Sequence, residues 1–196
     1  MTSNRTEKRK LKVQRVLRVR QDSLMVVIEN IHDPHNVSAI FRTCDAVGVP
    51  RVSLVYNVEK YPKIGKKSSA SAFKWVEKEK YRSIDTCYSD LRSKGFKIYA
   101  SALFKESVNL FEFDLTEKIA IVLGNEHRGV SEEAAKGADQ TFMIPMFGMV
   151  QSLNVSVAAA VVLYESARQR LQKGMYNSSD LHDGLLNERE EDWLKK

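Results

Sequence analysis

Three short stretches of this chain hold the side chains that can do chemistry. In the first, Asn36 precedes Arg42 on what reads as a helix after a polar turn, HDPHN. A guanidinium is a permanent cation with a planar fork of donors, suited to clamping a phosphate or steadying a developing oxyanion. The plainer alternative is an N-capping Asn36 and a surface Arg42 paired to Asp45. In the second stretch, GNEHRGVS (124–131), Gly124 and Gly129 bracket Glu126. Glycines leaving a strand let backbone approach a ligand, with Glu126 at the mouth to hold polar groups; the alternative is a turn before a helix capped by Ser131. The third, IPMFGMVQSLNVSVAAA (144–160), carries Gln151, Ser152, Asn154 and Ser156 inside a run from Gln140 to Tyr164 without a charged residue. Its polar side chains either cap a helix or line a site. A neutral apolar loop suits an uncharged planar group such as adenine, held by backbone hydrogen bonds.

Other chemistries lack their residues. No GxGxxG, GxxxxGK[ST] or GxSxG pattern occurs, which argues against a dinucleotide dehydrogenase, a P-loop NTPase and an elbow-type hydrolase. The 2 cysteines, Cys44 and Cys87, and 4 histidines show no metal-ligand spacing, so no metal is expected. The net charge of +6 is unevenly placed. Residues 1–20 hold Arg5, Lys8, Arg9, Lys10, Lys12, Arg15, Arg18 and Arg20 against Glu7 alone, a net +7, so the other 176 residues sum to −1. Such an arm suits phosphates, nucleic acid above all. No apolar signal segment opens the chain. The uncharged run is too polar, with Pro145, Gln151, Ser152 and Asn154, to read as a membrane span; it reads as a buried loop leading into a buried helix. Cytoplasmic location and no membrane partner are the expectations.

The elements that must position these residues alternate. Strands are expected at 24–31, 51–56, WVEKEKY (75–81), FKIYAS (96–101), 118–124 and DQTFMIPM (139–146). Helices are expected at 36–47, 83–94, from Ser131, and from about Leu153 to Lys173. This order predicts an α/β domain with a mainly parallel sheet and helices on both faces. The division is a basic arm (1–20), one domain (21–174) and a loosely docked tail (175–196), whose Leu185, Leu186, Trp193 and Leu194 suit a partner subunit. Each of the three stretches follows a strand, where ligands of such sheets sit. Small and apolar residues on several sides of the last helix, Val155 to Leu163, predict that it buries a second side.

The stretches NIHDPHNVSAIFRTCDAVGV (30–49), IVLGNEHRGVS (121–131) and IPMFGMVQSLNVSVAAAVVLYESARQR (144–170) resemble, in order and spacing, the three motifs of the SpoU branch of the SPOUT RNA methyltransferases. The resemblance covers about residues 20–173. It implies a deep C-terminal trefoil knot, a homodimer with the active site at the subunit interface, and S-adenosylmethionine as methyl donor to a ribose 2′-hydroxyl. It implies catalytic or site-shaping roles for Arg42, Asn36, Glu126, Ser152 and Asn154. Cofactor contacts, mostly through backbone, fall to Ser101, Gly124, Ile144, Met146 and Leu153. RNA contacts fall to Arg9, Lys10, Arg15, Arg18, Arg20, Lys66, Lys67, Arg168 and Arg170. The basic arm, SSASAFKW and the ESARQR ending most resemble members that methylate guanosine 18 in the tRNA D-loop. The alternatives are another tRNA position, rRNA, or an RNA-binding member without chemistry. The short acidic tail departs from the family pattern.

Overall fold

The computed structural model describes residues 2–62, 72–104, 106–177 and 183–196. Helix α1 (Thr2–Arg18) leads into β1 (Leu24–Glu29), α2 (Pro34–Ala46), β2 (Arg51–Val55) and β3 (Glu77–Tyr81). Then come α3 (Ile84–Ser93), β4 (Lys97–Ser101), the two-residue β5 (Val108–Asn109), β6 (Ile119–Leu123) and α4 (Glu132–Gly137). Strand β7 (Gln140–Met143), the long α5 (Val155–Gln172) and α6 (Asp183–Lys195) complete the chain.

The strands form one seven-stranded sheet in the order β3-β2-β1-β6-β4-β7-β5, every pair parallel. Both faces are covered, so the central strands read as unbroken apolar runs. Leu24, Val26 and Ile28 of β1, with Ile119, Ile121 and Leu123 of β6, meet the apolar stripes of α2 and α5. The alternate residues Met25, Val27, Ala120 and Val122 meet α3 and α4. From β1 the chain steps outward to β2 and β3, then crosses through α3 to β4, beyond β6. The strand order therefore reverses between β1 and β6, and the crevice outside their carboxyl ends is where this architecture binds ligands.

Two segments differ from the sequence reading. The basic arm, to which the sequence reading assigned no element, is a helix. Val13 and Leu17, four residues apart, pack with Trp193, and all three are buried. The tail is α6, docked on α1 of the same chain. Gln14 Nε2 donates to Glu190 Oε1 at 2.9 Å, and Arg189 forms a two-pronged pair with Asp22 at 3.0 and 2.9 Å. Trp193, expected against a partner, is thus covered from within.

Two proposed RNA-contacting arginines belong to the core. Arg20 is 1% exposed, donates to Val49 O at 3.1 Å and is ion-paired with Asp45. Arg170 is 0% exposed. Its fork reaches Leu115 O (3.0 Å), Glu117 O (2.7 Å), Ser23 Oγ (2.7 Å), Ser23 O (3.2 Å) and Gln21 Oε1 (3.2 Å). It ties α5 to the segments entering β1 and β6, and neither arginine can reach an RNA phosphate in this fold. Arg170→Met would strand several buried carbonyls, at about 1–3 kcal/mol each. It should lower the melting temperature by roughly 10 °C or more in calorimetry, whereas Arg168→Met, at an exposed position, should leave it within about 2 °C.

Candidate active site

The loops at the carboxyl ends of β1 and β6 are built by asparagines and glycines. Asn30 adopts the left-handed conformation (φ 49°), which asparagine tolerates better than most residues. Its Oδ1 accepts from the backbone N–H groups of Asn57, Val58 and Glu59 at 3.2, 3.1 and 3.1 Å. The exits of β1 and β2 are thereby fixed together. After β6, Asn125 and Gly129 exchange two backbone hydrogen bonds of 2.9 Å, closing a tight loop with Gly129 at φ 69°. Asn125 Nδ2 donates to Asn30 O at 2.8 Å, pinning that loop to β1. A Cβ on Gly124 would stand 2.1 Å from Gly129 C and Val130 N. That glycine therefore serves the loop's own closure, where the sequence suggested a ligand's approach.

The closed loop aims Glu126 at the start of α2. Its Oε2 accepts from His32 N at 2.9 Å, and its Oε1 from Asp33 N at 3.1 Å and Asn36 Nδ2 at 2.8 Å. Burial acts to raise the Glu126 pKa, but the Asn36 side chain and the loop amides outweigh it, so the carboxyl lies below the usual range and stays ionised. The N-cap of α2 is Asp33, whose Oδ1 accepts from His35 N at 2.8 Å. Asn36 is therefore not the cap and its amide is free to bridge. Its Oδ1 accepts from Asn154 Nδ2 at 3.1 Å. Asn154 caps α5 as well, its Oδ1 accepting from Ser156 N at 2.8 Å. One relay, Glu126–Asn36–Asn154, thus joins all three stretches singled out in the sequence.

Arg42 and Ser152 stand outside this relay. Both are exposed, and neither makes a hydrogen bond or ion pair among the described residues. Asp45, the expected partner of Arg42, is taken by Arg20, so the guanidinium is left without a counter-charge. Ser101, Gly124 and the pair Ile144 and Met146 lie at or just beyond the carboxyl ends of β4, β6 and β7, which are neighbours in the sheet. Ile144, Met146 and Leu153 are half-buried, and the N–H groups of Met146 and Leu153 have no acceptor among the described residues.

The uncharged run before α5 is not buried in this chain: Phe147 is 97% and Met149 100% exposed. Arg9, Lys10, Arg15 and Arg18 are exposed along α1. Arg168 is exposed but held by Glu165 at 2.7 Å. Lys66 and Lys67 lie outside the described residues. Sequence reasoning missed Asn30 and Asn125; an asparagine closing each strand was the available signal. It also missed the exposed bridge in which Glu59 receives His32 Nδ1 (3.1 Å) and Arg128 Nη2 (2.9 Å) across the mouth. Among the described residues no cluster of three or more His, Cys, Asp or Glu side chains could hold a metal ion, and no helix is long and apolar enough to cross a membrane.

A carboxylate with a depressed native pKa contributes stability above its unfolded pKa, roughly 4.3, and loses it as pH falls through the native value. Glu126→Gln should therefore cost about 1–3 kcal/mol at pH 7. The gap in melting temperature from the parent should close as pH falls below about 4.

Comparison with known proteins follows the same residues. A model of the SpoU rRNA Methylase family matches residues 23–164. The tRNA (guanosine(18)-2'-O)-methyltransferase of Thermus thermophilus is 45% identical over 192 residues, 98% of each chain. The crystal structure of the Aquifex aeolicus TrmH/SpoU tRNA modifying enzyme superposes with a TM-score of 0.91 at 42% identity, covering 97% of this chain and 96% of that one. The SpoU methyltransferase AviRb from Streptomyces viridochromogenes, in complex with AdoMet, gives 0.71 at 26% identity over 79% of this chain and 60% of that one. With all three loops of the site inside the matched region, the chain belongs to the SpoU methylase family.

Proposed function

We propose that this protein transfers a methyl group from S-adenosylmethionine to a ribose 2′-hydroxyl of tRNA, at guanosine 18, in the cytoplasm. The observation that carries the reading is the Glu126–Asn36–Asn154 relay, which gathers the three motif loops at the β1–β6 crevice. The names of the relatives support the reaction and the nucleotide. The donor set fits the cofactor. Ile144, Met146 and Leu153 offer half-buried neutral walls, and the free N–H groups of Met146 and Leu153 suit an uncharged planar base. When bound, S-adenosylmethionine supplies a methyl group on a sulfonium, ready for in-line displacement.

The residues of the chain then supply position and charge. Holding the 2′-oxygen in line accounts for up to about 7–11 kcal/mol of rate enhancement. A guanidinium is a permanent cation, which suits Arg42 to clamp the neighbouring phosphate and stabilise the developing alkoxide rather than to act as a base. Its lack of a counter-ion keeps that charge available. Glu126 and Asn36 fix the start of α2, and so the direction in which Arg42 projects. Ser152 lies next to the cofactor loop as a polar contact for the ribose. Likeness to the SpoU family supports a deep trefoil knot in the C-terminal part of the domain.

The functional unit is a homodimer. Val157, Tyr164 and Leu171 recur every seven residues along α5 and are 48%, 58% and 62% exposed; Phe147, Met149 and Val150, in the segment before α5, are also exposed. This is the second apolar side of α5, and a twofold copy covers it with the same patch. The pairing brings Arg42 of one chain towards the cofactor loop of the other.

Mass-spectrometric mapping of unmodified tRNA incubated with protein and S-adenosylmethionine should place one new methyl on the ribose of guanosine 18. Methylation at another nucleotide, or of rRNA only, would replace the substrate; no methylation would refute the reaction. Arg42→Ala should reduce turnover at least 100-fold with cofactor binding intact, and Arg42→Lys should fail as well, since a point charge does not reproduce a fork. Mixed dimers of an Arg42→Ala chain with an Asn154→Ala chain should regain part of the activity. A monomer in light scattering that remains fully active would contradict the shared site.

A further inference from the structure

A second cavity, of about 310 Å³, lies away from the crevice, between α1, α6 and the end of α2. The mechanism above uses none of its walls. Val13 and Val16 form its apolar side, and Trp75 and Trp193 line it with ring centroids 4.9 Å apart and planes tilted by 49°. Trp193 is 7% exposed and backed by the Arg20 guanidinium 5.1 Å from its ring, so it is the anchored member of the pair. Trp75 is half-buried and offers most of the ring surface still open. Arg9 and Lys12 stand on the rim, both exposed, and Asp45 closes the remaining wall. One Asp45 oxygen, Oδ1, is held by Arg20; Oδ2 has no partner among the described residues.

These walls select one kind of occupant. The volume lies at the small end of ligand pockets, enough for a single heterocycle with its sugar. An apolar peptide side chain would leave Asp45 unanswered. A bare anion would be drawn by Arg9 and Lys12 but repelled by the carboxylate inside. A neutral ring carrying N–H donors on its edge and phosphates on its backbone satisfies every wall. Its face stacks on Trp75, its N–H groups reach Asp45, and the flanking phosphates meet Arg9 and Lys12. Guanine, with two adjacent donors on one edge, matches a carboxylate best.

The geometry points to a nucleobase-binding subsite here: an unstacked base of the RNA substrate, guanine preferred, docks between α1 and Trp75 and anchors the RNA at a distance from the methylated ribose. This rests on the RNA-methylating function above. It assigns the α1–α6 pair a recognition role beyond general attraction of phosphates.

The chain contains only 2 tryptophans, and both line this cavity, so intrinsic tryptophan fluorescence reports on it directly. Titration of the wild-type protein with a tRNA transcript should quench that emission. Trp75→Leu should raise the tRNA Kd by about 5- to 100-fold, the range for loss of one stacked base. The slope of log K against log salt should stay unchanged, since stacking releases no counter-ions. Trp75→Phe should recover most of the affinity. The double substitution Arg9→Gln, Lys12→Gln should instead flatten the slope by about 1.4–1.8. The melting temperature and S-adenosylmethionine affinity of Trp75→Leu serve as controls. A wild-type Kd for Trp75→Leu overturns the subsite. So does a weakened Kd accompanied by a flattened slope and lower melting temperature, which would mark Trp75 as a support for α1. If the wild-type protein methylates tRNA while either result is found, only the subsite falls. If it methylates no RNA, the functional reading fails first.

Discussion

The carboxylate of Glu126 is the joint on which the site depends. A parallel sheet delivers its loops to one edge but does not by itself fix them to one another. Here one half-buried anion does so, because it accepts from two backbone N–H groups after β1 and from the side chain of Asn36. Taking a carboxylate partly out of water is unfavourable, and three donors are what keep it ionised and in place. The hold on Asn36 leaves that amide one free oxygen, and Asn154 takes it. A single charge after β6 thereby sets the start of α2 and the start of α5, the two helices that carry the remaining candidate residues.

Around that joint the basic residues fall into distinct groups. Arg170 is used up inside the fold, satisfying backbone carbonyls before β6 and around the entry to β1. Arg20 is likewise internal and occupies Asp45. The consequence is felt on α2, where Arg42 would otherwise have Asp45 as a neighbour one turn away. An arginine without a counter-ion in an exposed position costs little stability and keeps its charge available, as the proposed phosphate clamp requires. The cations along α1 remain in water and are free to meet RNA, while the apolar side of the same helix is held by Trp193.

The alternation of strands and helices made the parallel sheet legible, since periodicity and glycine stops are local signals. The three loops were legible because their residue types are unusual for turns. What escaped was long-range. Val13, Val16 and Leu17 have helical spacing, but the partner that makes α1 worth folding lies near residue 193, and nothing local announces it. Arg170 and Arg20 looked like surface cations because charge alone carries no sign of burial; only the carbonyls gathered around them do. The uncharged run from Gln140 to Tyr164 was read as buried, yet Phe147 and Met149 are open to water in the single chain. Absence of charge marks a surface that is covered at some stage, by the protein itself, a ligand or a second copy. Asn30 and Asn125 were passed over because a turn asparagine is common, and its value here lies in backbone groups from other loops.

The central claim, that one relay assembles the site, is tested most directly by a double-mutant cycle on kcat/KM for tRNA methylation with Glu126→Gln, Asn154→Ala and the pair. Among the described residues the two do not bond each other and are linked through Asn36. If the relay works as a unit, the second substitution should add little once the first has been made, giving a coupling of about 1 kcal/mol or more. Additive losses, within about 0.3–0.5 kcal/mol, would show that the loops are positioned independently and would contradict the account.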